Sequence, residues 1–353
     1  METPELNNET PNDQPIDQPI EQSIVPPTEQ PITPVNRIDL TALKTATDQV
    51  RNEISKIIVG QHQLIDMLIV GLLSDGHVLL EGLPGVAKTM TAKLLAKTLD
   101  IQFSRVQFTP DLMPSDVIGT SIFNLKNSEF QFKPGPIFAN VILIDEINRA
   151  PAKTQAALFE CMQEKQVTID GVTHLLPPPF IVLATQNPIE QEGTYRLPEA
   201  QLDRFLFKIT IGYPTLQEET NLLKKYHLAQ GNFDPQSVNS VMNGEQLAAY
   251  RLQVQMIHAE DKLIDYIAKI VHQTRNNKSL YLGASPRATL YILTAAKAFA
   301  AINARDFITP DDVKFVAPFV LHHRVILTPE KEMEGILPIE IVRQVIETVE
   351  VPR

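Results

Sequence analysis

An apolar stretch, Gly76-His77-Val78-Leu79-Leu80, runs directly into Gly82-Leu83-Pro84-Gly85-Val86-Ala87-Lys88-Thr89. The pattern G-x-x-x-x-G-K-[ST] needs a strand before it and a helix after it, because it works through backbone N–H groups converging at a helix N-terminus. Ala87 stands where the pattern has its second glycine. A methyl group is tolerable there if the local φ is negative, so the loop alone leaves an ordinary strand-turn-helix junction open.

The rest of the chain extends this unit. Helical periodicity covers residues 40–59 and 61–73 before the first strand, and 90–99 after the loop. Short apolar runs follow at 102–108, 141–144, 180–185 and 205–211. Strands alternating with helices predict an α/β fold, a P-loop parallel sheet sandwiched by helices. Beyond Tyr213-Pro214 the pattern turns helical, at 216–228, 261–275, 286–303, 310–322 and 338–349, and predicts a smaller all-helical lid domain. Ser285-Pro286 and Thr309-Pro310 each set a capping residue before a first-turn proline. Residues 231–245 read as connector. The expected division is a tail over 1–36, a nucleotide-binding core over 37–213 and the helical domain over 214–353.

Composition narrows the function. Residues 1–36 carry seven acids, no Lys or Arg, and Gln-Pro-Ile three times. Such a segment buries too little apolar surface to offset the entropy of ordering and reads as a solvated tail, with a docking strand or polyproline ligand as the alternatives. Of the net charge of −11, only −4 remains for the folded part. That part lacks the basic excess of sequence-independent nucleic-acid binding. The longest apolar stretch, near 64–73, is too short to span a bilayer, and no signal region opens the chain, so a cytoplasmic protein is expected. The single cysteine, Cys161, reads as a packed core thiol, and the eight histidines show no metal-ligand spacing.

Three further features sit where a phosphate chemistry would need them. In the loop, Lys88 would meet the β and γ oxygens and the Thr89 hydroxyl would ligate magnesium. The run Val141-Ile142-Leu143-Ile144 ends in Asp145-Glu146, about sixty residues on. Adjacent carboxylates can divide two tasks, Asp145 holding magnesium through water and Glu146 polarising the attacking water. The run Ile181-Val182-Leu183-Ala184-Thr185 ends at Gln186-Asn187-Pro188, where the Asn187 amide could orient that water. Alone, Asn-Pro is a turn signal and paired acids are a solvated strand end.

The motifs in order resemble the MoxR type of AAA+ ATPase over residues 41–349. Besides those above they are Val106-Gln107-Phe108-Thr109-Pro110-Asp111-Leu112-Met113-Pro114-Ser115-Asp116, Asp145-Glu146-Ile147-Asn148-Arg149-Ala150, Glu199-Ala200-Gln201-Leu202-Asp203-Arg204-Phe205 and Gly283-Ala284-Ser285-Pro286-Arg287-Ala288. The family commonly carries alanine before the loop lysine. The resemblance implies that Val59-Gly60 contacts adenine, that Asn187 is the sensor-one residue and that Arg287 is the sensor-two arginine. It makes Arg204 an arginine finger reaching a neighbouring subunit, hence a ring, expected to be a hexamer. Arg149 and Arg196 compete for that role. Residues 123–138 resemble the insertion in helix two of this branch, and 167–179 the hairpin before sensor one. No aromatic-hydrophobic-glycine pore loop stands out.

The expected nucleotide contacts are Val59, Gly60, Gly82, Pro84, Gly85, Val86, Ala87, Lys88, Thr89 and Met90, with Thr89 and Asp145 on magnesium and Glu146, Asn187, Arg204 and Arg287 in catalysis. ATP is favoured over GTP because no Asn-Lys-x-Asp motif occurs. The resemblance implies an ATP-driven, chaperone-like remodeller of protein clients, often with a partner carrying a von Willebrand factor A (VWA) domain. The alternatives are a nucleic-acid-stimulated motor and a magnesium-chelatase-like motor subunit.

Overall fold

A computed structural model describes residues 37–352 except 84, 127, 188–194, 196, 229 and 231–233. The tail over 1–36, Pro84, Pro188 and Arg196 lie outside the described residues.

Helices α1 (Thr41–Ser55) and α2 (His62–Leu73) lead into β1 (Val78–Gly82), and α3 (Lys88–Thr98) leaves the phosphate loop. Then come β2 (Phe103–Gln107), the short α4 (Pro114–Ile118), the β3 (Gly119–Asn124) and β4 (Glu129–Pro134) hairpin, and β5 (Val141–Asp145). Helix α5 (Ala152–Glu164), a second hairpin of β6 (Gln166–Ile169) and β7 (Val172–Leu175), β8 (Ile181–Gln186), α6 (Glu199–Leu202) and β9 (Phe207–Ile211) complete this part. Among the described residues β1, β2, β5, β8 and β9 form one parallel sheet in the order β2-β5-β8-β1-β9.

Side-chain alternation explains why the sheet is covered twice. Val78, Leu80, Val141, Leu143, Ile181 and Leu183 face one core with α1, α2 and α3. Leu79, Ile142, Ile144, Val182 and Ala184 face the other, with Phe159 and Met162 of α5. These strands are buried on both faces and read as unbroken apolar runs. The two hairpins stand outside the sheet and touch through the stacked rings of Phe132 and His174, 4.1 Å between centroids.

The remainder is mostly helical: α7 (Leu216–Leu228), α8 (Gly244–Gln255), α9 (Asp261–Arg275), β10 (Leu280–Leu282), α10 (Arg287–Ile302), α11 (Pro310–Leu321), β11 (Ile326–Leu327), α12 (Pro329–Met333) and α13 (Pro338–Thr348). It differs from an all-helical expectation by the antiparallel β10–β11 pair. Helix α8 begins only at the end of the weakly periodic stretch 231–245 and is an element the periodicity does not predict; Asn243 caps it, its side chain accepting from the Gln246 N–H at 2.9 Å. Thr309 caps α11 as its sequence position predicts. Ser285 does not cap α10: its hydroxyl donates to the Asp203 carboxylate at 3.1 Å instead. Helix α10 packs against α1 and α2, and its Ile292, Ala295 and Ala296 join the same apolar cluster as β1.

Candidate active site

Parallel register brings the carboxyl ends of β1, β5 and β8 to one edge. Leu80 lies beside Thr185, and Gln107 beside Asp145. Thr185 then donates from Oγ1 to Asp145 Oδ1 at 3.2 Å. A cavity of about 520 Å³ opens there, and its walls include Gly85, Ala87, Lys88, Thr89, Met90, Asp145, Glu146 and Asn187. Crevices outside the carboxyl ends of parallel strands are the usual ligand sites of such sheets.

Each loop position has a local cause. A Cβ on Gly82 would lie 2.8 Å from the Ile211 carbonyl, so β9 can pair with β1 only past a glycine. Gly85 has φ 86° with open space around it, so backbone conformation rather than room requires it. Ala87 has φ 61°, not the negative value that would make a methyl group comfortable. The left-handed region costs an alanine about 1–2 kcal/mol. The loop is tied from both sides: Gln61 Nε2 donates to the Val86 carbonyl at 3.0 Å, and Lys88 Nζ to the Gly82 carbonyl at 2.7 Å. Partial burial holds the Lys88 ammonium below its usual pKa, opposed by Asp145, Glu146 and Glu81.

The carboxylates are engaged by neighbouring strands. Arg105 Nε donates to Asp145 Oδ2 at 2.6 Å, and Gln107 Nε2 to Glu146 Oε2 at 2.6 Å. Glu146 turns off its strand at φ 57°, with its N–H on Thr185 Oγ1 at 3.0 Å and its Oε2 2.9 Å from Arg149 Nε. Sequence reasoning assigned no role to Arg105, or to Lys93, which also lines the cavity. Signals for both exist. Arg105 and Gln107 sit two apart on β2 and so share a face, while Lys93 follows Thr89 by one helical turn.

A second cavity of about 420 Å³ shares Gly85 and Ala87 with the first and is otherwise lined by Ile57, Ile58, Val59, Gln61, Val86, Tyr213, Pro214 and side chains of α7. Val59 therefore stands at an apolar recess beside the loop, and buried Gly60 lies against Glu218 of α7. Arg204 and Arg287 are absent from the walls of both cavities. The Arg204 guanidinium lies over the Phe159 ring, 5.8 Å from its centroid. Arg287, the first residue of α10, has Nη1 3.8 Å from Asp203 Oδ2. A larger cavity of about 800 Å³, between α9 and α13, contains none of the candidate residues.

For magnesium, the described residues hold no cluster of three or more His, Cys, Asp or Glu able to bind a metal unaided. The Thr89 hydroxyl and Asp145 carboxylate share the cavity with Lys88. Hard oxygen donors of this number suit an ion that keeps waters and takes its other ligands from substrate phosphates.

The matches with known proteins agree with this geometry. Residues 77–207 match the family described as "ATPase family associated with various cellular activities (AAA)", and 272–345 match the AAA lid domain. Chaperone MoxR1 of Mycobacterium tuberculosis is 46% identical over 311 residues, 85% of this chain and 81% of that protein. The chain is a MoxR-family AAA+ ATPase. Uncharacterized protein YeaC of Bacillus subtilis is 47% identical over 299 residues, 85% of this chain and 92% of YeaC. A crystal structure from Cytophaga hutchinsonii shares 42% identity and superposes with a TM-score of 0.82, covering 89% of this chain and 97% of that one. Membership fixes an AAA nucleotide-binding domain with a helical lid and an ATPase activity. No helix among the described residues is long and apolar enough to cross a membrane.

Proposed function

We propose that this MoxR-family ATPase hydrolyses ATP with magnesium in a cytoplasmic ring, expected to be hexameric, and uses the cycle to remodel or activate protein clients, with a VWA-domain protein as partner. The observation that carries the hydrolytic part is the meeting of Lys88, Thr89, Asp145, Glu146 and Asn187 around one cavity at the ends of β1, β5 and β8. The core over 37–213 and lid over 214–353 belong to the same reading.

Each side chain then has a task. The loop N–H groups and Lys88 hold the β and γ phosphates. Magnesium, held by Thr89 and by Asp145 through water, would neutralise charge on the phosphate oxygens. For Asp145 to serve, Arg105 must yield its place on Oδ2, and an arginine half exposed at 52% has little desolvation to lose by moving. Glu146 takes the proton of the attacking water once Gln107 and Arg149 release it, and Asn187 orients that water. Val59, Gly60 and the recess beside α7 receive adenine.

The ring rests on the arginines. Arg204 lies outside its own cavity. Arg287 sits at the N-terminal end of α10, where the helix dipole disfavours a cation and the Asp203 carboxylate 3.8 Å away offsets it. An arginine delivered to the γ-phosphoryl in the transition state is worth roughly 10³–10⁵ in rate. The chaperone role is supported by the name of the tuberculosis relative, and the VWA partner by family resemblance alone.

The decisive experiment is ATPase turnover of purified protein beside Lys88→Ala and Glu146→Gln. Both variants should lose activity by at least about a hundredfold, with Glu146→Gln retaining nucleotide. Unchanged hydrolysis in Lys88→Ala would sink the reading. Pull-down with Glu146→Gln should recover a VWA-domain protein, whereas recovery of nucleic acid alone would favour the nucleic-acid motor.

A further inference from the structure

The segment Asp203-Arg204-Phe205-Leu206 joins α6 to β9, and all its carbonyls are held by side chains of the lid. Arg324 Nη2 donates to the carbonyl of Asp203 at 2.9 Å and to that of Phe205 at 2.5 Å. Its Nη1 reaches the carbonyl of Leu206 at 3.4 Å and also donates to the Val320 carbonyl within the lid. The remaining carbonyl, that of Arg204, accepts from the Tyr291 hydroxyl at 3.4 Å. Tyr291 in turn lies under the Arg324 guanidinium, 4.9 Å from ring centroid to Cζ.

The Asp203 carboxylate closes the arrangement. It accepts from Arg324 Nε at 2.8 Å and from Ser285 Oγ at 3.1 Å, and Arg287 Nη1 stands 3.8 Å away. The Arg324 side chain is 1% exposed. Burying a guanidinium costs several kcal/mol before its contacts repay it, and a core patch of this size could be filled by an apolar residue at little loss. A fork of five donors is the group suited to several carbonyls and a carboxylate at once.

We infer that Arg324 is a positioning residue acting from the lid: it clamps residues 203–206 and thereby fixes the direction in which Arg204 leaves its own subunit. This rests on the proposal that Arg204 serves a neighbouring site. Asp203 joins the same clamp to Ser285 and Arg287 at the start of α10, so the segment that carries Arg204 and the start of the helix that carries Arg287 meet at one half-buried carboxylate. Loss of the clamp should therefore appear as lost turnover in the neighbour's site, while the subunit's own phosphate loop stays intact.

Subunit mixing tests this. Arg324→Met, Arg324→Lys and Tyr291→Phe are each assayed alone and then mixed with Glu146→Gln, whose site is dead but whose Arg204 is intact. Arg324→Met alone should lose at least about tenfold in kcat with KM changed less than about twofold, and Arg324→Lys should not restore it, since lysine lacks the fork. Equal mixing with Glu146→Gln should raise activity at least about fivefold above the sum of the separate preparations, because heterologous contacts pair about half of the living sites with an intact Arg204.

Arg204→Ala mixed with Glu146→Gln is the control on the underlying reading. Recovery there without recovery for Arg324→Met overturns the clamp. No recovery in the control overturns the role of Arg204, and the clamp with it. Should Arg324→Met fail to fold, Tyr291→Phe keeps both the ring and Arg324 and removes only the hydroxyl on Arg204. It should lose about threefold in kcat, recovered by mixing. Wild-type turnover in Tyr291→Phe, or a loss that mixing leaves unchanged, counts against the proposal.

Discussion

Two arginine–aspartate pairs of nearly equal geometry do opposite things in this molecule. Arg105 Nε meets Asp145 Oδ2 at 2.6 Å, and Arg324 Nε meets Asp203 Oδ1 at 2.8 Å. The first arginine is 52% exposed and the second 1%. Beside the phosphate loop solvent already attends the guanidinium, so a competing ligand for the carboxylate would displace it at little cost in desolvation. Between core and lid the cation has no water to return to, and its other donors are committed to backbone carbonyls. Distance alone does not separate a displaceable contact from a permanent tie. Desolvation does.

The widest way to break this comparison is to remove each arginine and measure stability by chemical denaturation. Arg324→Met should cost about 3–5 kcal/mol, since it strands the Asp203 carboxylate and carbonyls of residues 203–206. Arg105→Met should cost less, about 1–2 kcal/mol: it takes one partner from the buried Asp145 carboxylate, which keeps the Thr185 hydroxyl, and strands no backbone carbonyl. Equal losses from the two would mean that exposure is the wrong criterion.

Acid should act on the buried side of the comparison next. Burial lowers His322, four residues' reach from the Pro318 carbonyl its Nδ1 meets at 2.7 Å, from 6.5 to about 4, with Lys208, Arg324 and Arg343 adding to the shift. Burial likewise lowers His77 to about 4; its Nε2 donates to the Met162 carbonyl and its Nδ1 accepts from the Val182 N–H, each at 3.0 Å. Both rings are neutral in the folded protein, while in the unfolded chain they take protons once pH falls below 6.5. Their contribution is thus complete at neutral pH and is lost as pH falls from 6.5 towards 4, about 3 kcal/mol each over the whole window. No histidine lines the phosphate cavity. Unfolding free energy should therefore drop between pH 7 and 5, and a His77→Gln variant should show a shallower slope. A flat profile above pH 5 would refute the assignment.

The same contrast decides what could be read from the sequence. The phosphate cavity was legible because its parts lie at strand ends, and strand ends are marked locally: Lys88 and Thr89 by the loop, Asp145 and Glu146 by the close of an apolar run, Asn187 by the next. Parallel register then brings them together without further information. Arg105 is only half legible: its spacing from Gln107 marks a shared face, but its partner depends on β2 lying beside β5, and nothing within β2 states its neighbour. The lid clamp was still less so. Arg324 follows α11 and Asp203 precedes β9, 121 residues apart, and a buried arginine carries the same letter as a solvated one. Ser285 shows how a local rule fails at such a place. Its position before Pro286 predicts a cap, but the Asp203 carboxylate outcompetes the helix N–H groups for its hydroxyl. Helix α8 is not legible because tertiary contact, through Leu247 and Val254, supplies what periodicity lacks.

The smallest effect tests the exposed side alone. Ala87 holds φ 61° at the entrance to α3, and its Cβ is the only reason that conformation is costly. Ala87→Gly removes a penalty of about 1–2 kcal/mol but adds about 0.5–1 kcal/mol of unfolded-chain entropy. A net gain of about 0.5 kcal/mol should appear as a slightly higher denaturation midpoint at unchanged slope. The clamp of residues 203–206 touches none of the loop, so the gain should be the same in an Arg324→Lys background, as additivity requires of distant sites. If the gain disappears in that background, the loop and the clamp are coupled through the lid, and the division between a displaceable site and a fixed tie would have to be redrawn as one cooperative unit.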